Sequence, residues 1–324
     1  MSEFIISSSP HIKSKITTKY LMNSVIIALL PALVVAIVMF GYQYVLPVVL
    51  LSVISAVLSE ALFQKLFGLK LTFLDGSAAL TGLLLALCLP PRVPLWIPVL
   101  GSIFAMFSKQ VFGGLGQNIF NPALMGRAFL LLSWPGIMTK WYAPFAGADA
   151  VTTATPLNIY KFEGLEKLIS LFGGDIFSTY KHLFLGLKGG SIGEVFIPAL
   201  LLGLIYLLIK GVISWHIPVS YIVSCLVFSY LFGLNPIITI LTGGILFGAF
   251  FMATDYVTSP ILAESKLIYG FSIGFLNIII RKFGGMPEGV TFAILIMNMI
   301  VPLLDKQIRK PFGFIKEKKV QSEK

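Results

Sequence analysis

Apolar runs close to membrane-crossing length recur along this chain, the first starting at residue 24 and the last ending at residue 305. A helix needs roughly 20 predominantly apolar residues to cross a bilayer. In hydrocarbon each backbone N–H and C=O must be satisfied within the protein. The chain is 57% hydrophobic and 12% charged, with a mean hydropathy of +0.92. A soluble domain carries about twice that share of charge. The fold class that follows is an all-α polytopic integral membrane protein with about ten transmembrane helices. They are expected near residues 24–40, 44–67, 74–89, 93–108, 119–138, 195–210, 213–232, 236–252, 266–281 and 288–305. Residues 1–20 are polar and the first apolar run follows without a small-residue cleavage site, so no removable signal is expected.

The formal net charge of +10 could suggest a nucleic-acid partner, but its placement argues otherwise. Seven basic residues fall in the tail 306–324, and Lys13, Lys15 and Lys19 precede the first run. Lysine and arginine concentrate at the cytoplasmic ends of membrane helices. An even number of spans then puts both termini in the cytoplasm, with Lys65, Lys70, Lys109, Lys210 and Lys266 in cytoplasmic loops. Arg92, Arg281 and Lys282 fall outside, against the rule. Cys88 and Cys225 lie in separate apolar runs without CxxC or Cys/His spacing, which speaks against a disulfide framework or a thiolate metal site. His11, His182 and His216 are equally scattered.

The segments are a cytoplasmic piece (1–23), a first five-helix half (24–138), an external loop of about 55 residues (139–194), a second five-helix half (195–305) and the basic tail (306–324). Between the halves there is a faint echo. Leu80-Thr-Gly closes span three in a Gly-bearing run that stops at Pro90. Leu241-Thr-Gly opens a similar run through span eight that stops at Pro260. Short or interrupted helices in matching positions point to a binding site near the membrane midplane, and an odd repeat of five implies inverted halves.

The external loop holds the polar island Asp149-Ala-Val-Thr-Thr-Ala-Thr-Pro-Leu157. By itself, Thr155-Pro156 reads as an N-cap followed by a first-turn proline that opens a helix at Leu157. No histidine accompanies it and Asp149 is the nearest ionisable group, so Thr155 has no base to make it a catalytic nucleophile. A modification site is the remaining chemical option. The loop closes with Gly189-Gly-Ser-Ile-Gly-Glu194, which is either a connector or a turn whose amides could approach an anion. The stretch 113–118, Gly-Gly-Leu-Gly-Gln-Asn, reads as unwound backbone at a helix break.

Ionisable groups inside the runs are costly and default to functional hypotheses. Arg127, beside Asn121 and Pro122 on span five, is one; snorkelling to the interface is the other reading. Glu60, Asp75, Asp255 and Glu288 sit within spans or at their ends. Asp75 and Asp255 are candidates for a path for a hard cation, with helix capping as the alternative. An acid at a helix C-terminus opposes the macrodipole, so Asp255 asks for another explanation.

Taken in order, the motifs resemble those of a known family. They are Asp75-Gly-Ser-Ala-Ala-Leu-Thr-Gly, the run from Ser108 through Asn118 and Asn121-Pro122 to Phe129, the Thr155 motif, Gly190-Ser-Ile-Gly-Glu194, Ala253-Thr-Asp-Tyr-Val-Thr-Ser-Pro260, and Gly284-Gly-Met-Pro-Glu-Gly. The chain resembles the D subunits of Rnf complexes, the membrane-bound ferredoxin:NAD oxidoreductases, and is similar to the larger B subunit of the sodium-pumping NADH:quinone oxidoreductase. The resemblance implies FMN esterified through its phosphate to Thr155 by a flavin transferase, on the outer face of a bacterial or archaeal cytoplasmic membrane. It makes Asp149, Thr152, Thr153, Arg127, Asn121, Gly190, Ser191, Gly193 and Glu194 candidates for the surroundings of that FMN. Other membrane subunits and an external flavoprotein are the implied partners, and a second, non-covalent flavin among the spans is left open. The family motif often has Gly where Thr153 stands and Pro where Tyr256 stands, so Thr152 and Thr153 stay open as acceptors. The implied function is electron relay coupled to Na+ or H+ transport, without independent catalysis. The alternatives are a stand-alone inverted-repeat transporter or channel and a non-redox membrane anchor.

Overall fold

The computed structural model describes residues 17–69, 71–72, 75–145, 154–285 and 288–308. Regular structure among them is helical. The first half holds α1 (Thr18–Phe40), α2 (Tyr42–Leu66), α3 (Ser77–Leu87), α4 (Trp96–Val111) and α5 (Pro122–Ser133), with the short α6 (Pro135–Met138) behind it. The loop holds α7 (Pro156–Phe162), α8 (Leu165–Leu171) and α9 (Ile176–Phe184). The second half holds α10 (Ile197–Ile209), α11 (His216–Leu231), α12 (Pro236–Leu241), α13 (Ile245–Phe247) running into a π-turn (Gly248–Met252), α14 (Ala263–Phe283) and α15 (Val290–Ile308).

Each expected span has a helix, or a helix pair, at its place. Among the described residues α1, α2 and α14 are long and apolar enough to cross a membrane alone. Others are much shorter. The 11 residues of α3 reach about 16 Å at 1.5 Å per residue, roughly half the hydrocarbon thickness. Span eight is broken outright between Leu241 and Ile245. The chain is a multi-pass membrane protein, and its surface shows why water is the wrong solvent. Leu46, Leu50, Ile54, Leu58, Leu62 and Leu66 recur every four residues on α2 and all are exposed. A continuous leucine stripe on a helix is matched by lipid tails and would aggregate in water.

Inside the bundle the contacts are close and polar rather than simply oily. Between helices already in lipid, packing of small residues and interhelical hydrogen bonds replace the hydrophobic effect. The α2 residue Ser52 donates to the carbonyl of Gly82 on α3 at 2.7 Å, and Ser102 on α4 donates to the carbonyl of Ser52 at 2.9 Å. In the second half, Ser224 on α11 donates to the carbonyl of Phe271 on α14 at 2.6 Å. The partners correspond: α2 packs on α3 and α4, α11 on α12 and α14, α5 on α4, and α15 on α14, while α1 meets α10.

A Cβ at Gly274 would lie 2.6 Å from the Ser224 Cβ and 2.7 Å from the Tyr221 carbonyl oxygen. Gly274→Val is therefore expected to pry α14 from α11 at a cost of about 1–3 kcal/mol, read as a lower melting temperature in detergent. An unchanged melting temperature would mean that this contact is not tight.

The loop is folded rather than a plain connector. Its helices α8 and α9 pack Leu168 and Leu183 against Ile238 of α12. The backbone N–H of Asn235 donates to Tyr160 Oη at 2.6 Å, and its side-chain amide donates to Tyr180 Oη at 3.1 Å. The loop thus sits on the N-terminal end of the broken span.

Candidate functional site

Thr155 occupies the N-cap of α7, accepting the N–H of Asn158 at 3.1 Å, with Pro156 in the first turn. This bond uses the hydroxyl oxygen as acceptor and leaves the hydroxyl proton out. Thr155 is half-buried and lines a cavity of about 260 Å3. Its apolar wall comes from Leu131, Pro135, Met138, Trp141 and Leu157; its polar wall comes from Arg127, Lys188, Glu194 and Glu288. The structure thereby brings three sequence candidates, Thr155, Arg127 and Glu194, to one place from three separate segments.

Arg127 projects from α5 and donates through Nη2 to Glu288 Oε2 in a salt bridge, with side chains only 7% and 17% exposed. Arg127 therefore does not snorkel; it is a buried, paired cation at the cavity. The other Glu288 oxygen, Oε1, accepts the N–H of Gly244 at 3.2 Å. Glu194 is buried, and its Oε2 has no hydrogen-bond partner. Burial raises the Glu194 carboxyl above the usual range, and Glu288 nearby pushes in the same direction. Burial also pulls the Lys188 ammonium down to about 8, partly offset by Glu194. Raising the pH through about 8 thus removes one positive charge from the cavity wall.

The cavity lies against the break in span eight. The C-terminal carbonyls of α12 have no intrahelical donors. Arg281 donates to the carbonyls of Thr239 at 2.8 Å and Thr242 at 3.0 Å, and Lys188 donates to that of Leu241. Cations suit that end of a helix dipole, and the Glu288 carboxylate suits the amide end of α13. Gly243 turns with φ +66°, and a Cβ there would sit 2.6 Å from Arg281 Nη2. Arg281, expected outside against the positive-inside rule, is instead a buried ligand of backbone carbonyls. It carries no topological information.

Three amides of the glycine-rich closure are used within the protein. Gly193 N–H donates to Leu87 O at 2.7 Å, Ile192 N–H to Leu89 O at 3.0 Å, and Ser191 N–H to Glu194 Oε1 at 3.0 Å. These amides satisfy the end of α3 and orient Glu194, so they are not available to a ligand. Gly193 is required by contact, since a Cβ would lie 2.7 Å from that of Leu87. Gly190, Ser191 and Gly193 therefore support the cavity without lining it. Asn121 is also displaced from its expected role. Its Oδ1 caps α5 by accepting from Ala123 and Leu124, and its amide donates to Met252 O at 3.2 Å. Asp149, Thr152 and Thr153 lie outside the described residues.

Asn121 belongs to a second polar cluster. Lys109 donates to Glu60 at 2.5 Å and to Ser77 Oγ at 2.8 Å, and both ionic side chains are 1% exposed. Lys109, expected in a cytoplasmic loop, lies within α4, and its charge answers the intramembrane acid on α2. A cavity of about 30 Å3 beside it is lined by Ser77, Lys109, Asn118, Asn121 and Asp255. Of the two candidate ion-path acids, Asp75 accepts the Ser77 N–H at 2.8 Å as a helix-start ligand. Asp255 accepts from Thr258 Oγ1 at 2.8 Å in the turn after the π-segment, which explains an acid at that position. The unwound stretch expected at 113–118 is present, with positive φ at Gly113, Gly114 and Gly116.

Sequence reasoning misses Lys188, Trp141 and the cavity role of Glu288. Glu288 is legible as an intramembrane acid, but the signal that places it, a cation at matching depth, is Arg127 itself.

Comparison with known proteins gives the chain a family. The D subunit of the Na(+)-translocating ferredoxin:NAD(+) oxidoreductase complex of Acetobacterium woodii is 48% identical over 319 residues, covering 97% of this chain and 96% of that protein. The D subunit of the proton-translocating ferredoxin:NAD(+) oxidoreductase complex of Clostridium ljungdahlii is 45% identical over 312 residues, 94% of each chain. The D subunit of the ion-translocating oxidoreductase complex of Aliivibrio salmonicida is 38% identical over 343 residues, 93% of this chain and 96% of that protein. A family model described as the NQR2, RnfD, RnfE family matches residues 5–313, and with these relatives it establishes that the chain belongs to that family.

Proposed function

We propose that this chain is a membrane flavoprotein subunit of an ion-translocating ferredoxin:NAD oxidoreductase complex, and that it relays electrons through FMN joined by its phosphate to Thr155. The observation that carries the reading is the position of Thr155 on the wall of a cavity that combines an apolar side with charged groups. Apolar side chains, Trp141 among them, offer a surface for the ring face; Arg127 and Lys188 are donors, and Glu194 Oε2 is a buried acceptor without a donor. A flavin edge presents carbonyl acceptors and an N–H donor, which complements that set. The volume of about 260 Å3 lies just below the usual range of ligand pockets, roughly 300–1,000 Å3. At the half-buried Thr155 a covalent tether would keep the group from leaving. FMN would supply the electron chemistry, while the chain supplies position and electrostatics.

Attachment needs an external flavin transferase and FAD. Thr155 Oγ bonds to the phosphorus on the FMN side of FAD, the pyrophosphate P–O bond breaks, AMP departs, and the hydroxyl proton goes to solvent. The partners we assign are that transferase, other Rnf-type membrane subunits and an outward-facing flavoprotein next to the loop. The setting is the cytoplasmic membrane of a bacterium or archaeon, with both termini inside and the loop outside. The relatives include one named for sodium and one for protons, and the coupled ion is Na+ or H+. For a second, non-covalent flavin, the cleft of about 440 Å3 walled by Ser214, Thr254, Tyr256 and Lys266 has the volume. Free flavin released on denaturation would report it.

One observation favours a different class. Span three is short and span eight is broken, as in inverted-repeat transporters. In-gel fluorescence of the denatured protein, made together with the transferase, separates the two. Wild type is expected to fluoresce and Thr155→Ala to lose the signal entirely. Fluorescence retained in Thr155→Ala would move the tether to Thr152 or Thr153. A dark wild type would leave a transporter or an anchor as the better reading.

A further inference from the structure

One carboxylate joins the two unusual features of this molecule. Glu288 Oε2 holds the Arg127 guanidinium at the cavity wall, and Glu288 Oε1 holds the Gly244 N–H where span eight resumes after its break. The rest of the break is held by basic side chains: Arg281 on the carbonyls of Thr239 and Thr242, and Lys188 on that of Leu241. Its amide side thus depends on a group whose charge is shared with Arg127.

We propose that Glu288 is a positioning residue that ties the electrostatics of the Thr155 cavity to the break in span eight. The inference rests on the reading of Thr155 as the FMN tether. With Glu288 charged, Arg127 is neutralised by its partner and the amide at Gly244 is pinned by a charge-assisted hydrogen bond, the stronger kind. Negative charge brought into the cavity competes with Glu288 for Arg127. Conversely, a neutral side chain at 288 gives Arg127 fully to the cavity and slackens the hold on Gly244. What sits in the cavity and how firmly the broken helix is held are then coupled through one side chain. Such coupling must act in both directions.

The test is Glu288→Gln, which keeps shape and removes charge, in the complete protein co-produced with the transferase. Three quantities are read: covalent flavin by in-gel fluorescence, the midpoint potential of that flavin, and the rate of amide hydrogen exchange at Gly244. Fluorescence is expected to persist, showing that the variant folds and is loaded. The potential is expected to rise by at least a tenfold change in the reduction equilibrium, about 59 mV for a one-electron couple. Exchange at Gly244 is expected to accelerate about tenfold, as one factor of ten corresponds to about 1.4 kcal/mol. In a loaded protein, either the potential or the exchange rate remaining at its wild-type value overturns the proposal. Glu288→Asp, which keeps the charge, is expected to hold the potential near wild type, and a rise equal to that of the Gln variant also overturns it. If even the parent protein carries no covalent flavin, the tether reading fails separately. The exchange rate at Gly244 then decides whether Glu288 holds the break, with an unchanged rate ending that claim too.

Discussion

Lys109→Met is expected to be among the most damaging single changes to this protein's stability, at about 3–5 kcal/mol, the usual cost of orphaning one member of a buried ion pair. Lys109 and Glu60 are each 1% exposed and 2.5 Å apart, so the variant strands a carboxylate among α2, α3 and α4. The Glu60 Oε2 already lacks a partner, and Oε1 would keep only the Gln110 amide at 3.3 Å. Combining Lys109→Met with Glu60→Leu is expected to recover most of the loss, because two apolar side chains of similar volume need no desolvated charge. Thermal unfolding in detergent, followed by circular dichroism, compares the two. A double variant as unstable as the single one would show that Ser77 and Gln110, which also bond within the cluster, depend on the charges to stay in place.

Arg281→Met is expected to cost about 2–6 kcal/mol, because it removes the donors from two buried carbonyls at about 1–3 kcal/mol each. Those carbonyls, of Thr239 and Thr242, end α12 in the middle of a span, where lipid and protein supply no water. The effect should be local as well as large: hydrogen exchange at 238–246 is expected to accelerate before that of α14, the helix that carries the residue. Arg281→Lys should lose less, since one ammonium can still reach one carbonyl. Equal exchange along α12 and α14 would mean that Arg281 supports its own helix rather than the break.

Much of the fold was legible in the chain because the bilayer imposes a simple rule on composition. Every apolar run marked a helix; in the structure Asn121 and Asn235 cap α5 and α12, each followed by a first-turn proline. Thr155-Pro156 behaved likewise, and the Thr155 cap is the same whether or not the hydroxyl carries a group. The interruption of span eight was legible only as an echo of span three. Its break at Gly243 and Gly244 depends on Arg281, Lys188 and Glu288, which come from three other segments. The charges misled for the same reason. Lys109 and Arg281 look like interfacial residues when counted along the sequence, yet both are buried because each meets a partner far away in the chain. The closure at 189–193 suggested an anion cradle, but the amides of Ile192 and Gly193 went to the carbonyls at the end of α3.

The sequence by itself determined that this is a membrane-embedded helical protein of a recognisable family, with one hydroxyl-rich loop. It could do so because solvation in lipid acts on each segment separately and needs no knowledge of its neighbours. Only the tertiary structure decided which charges face each other, where the eighth span breaks, and that Thr155, Arg127, Lys188, Glu194 and Glu288 share one cavity. Pairing energies depend on distances between groups that are remote in the chain, and those distances exist only once the helices have packed.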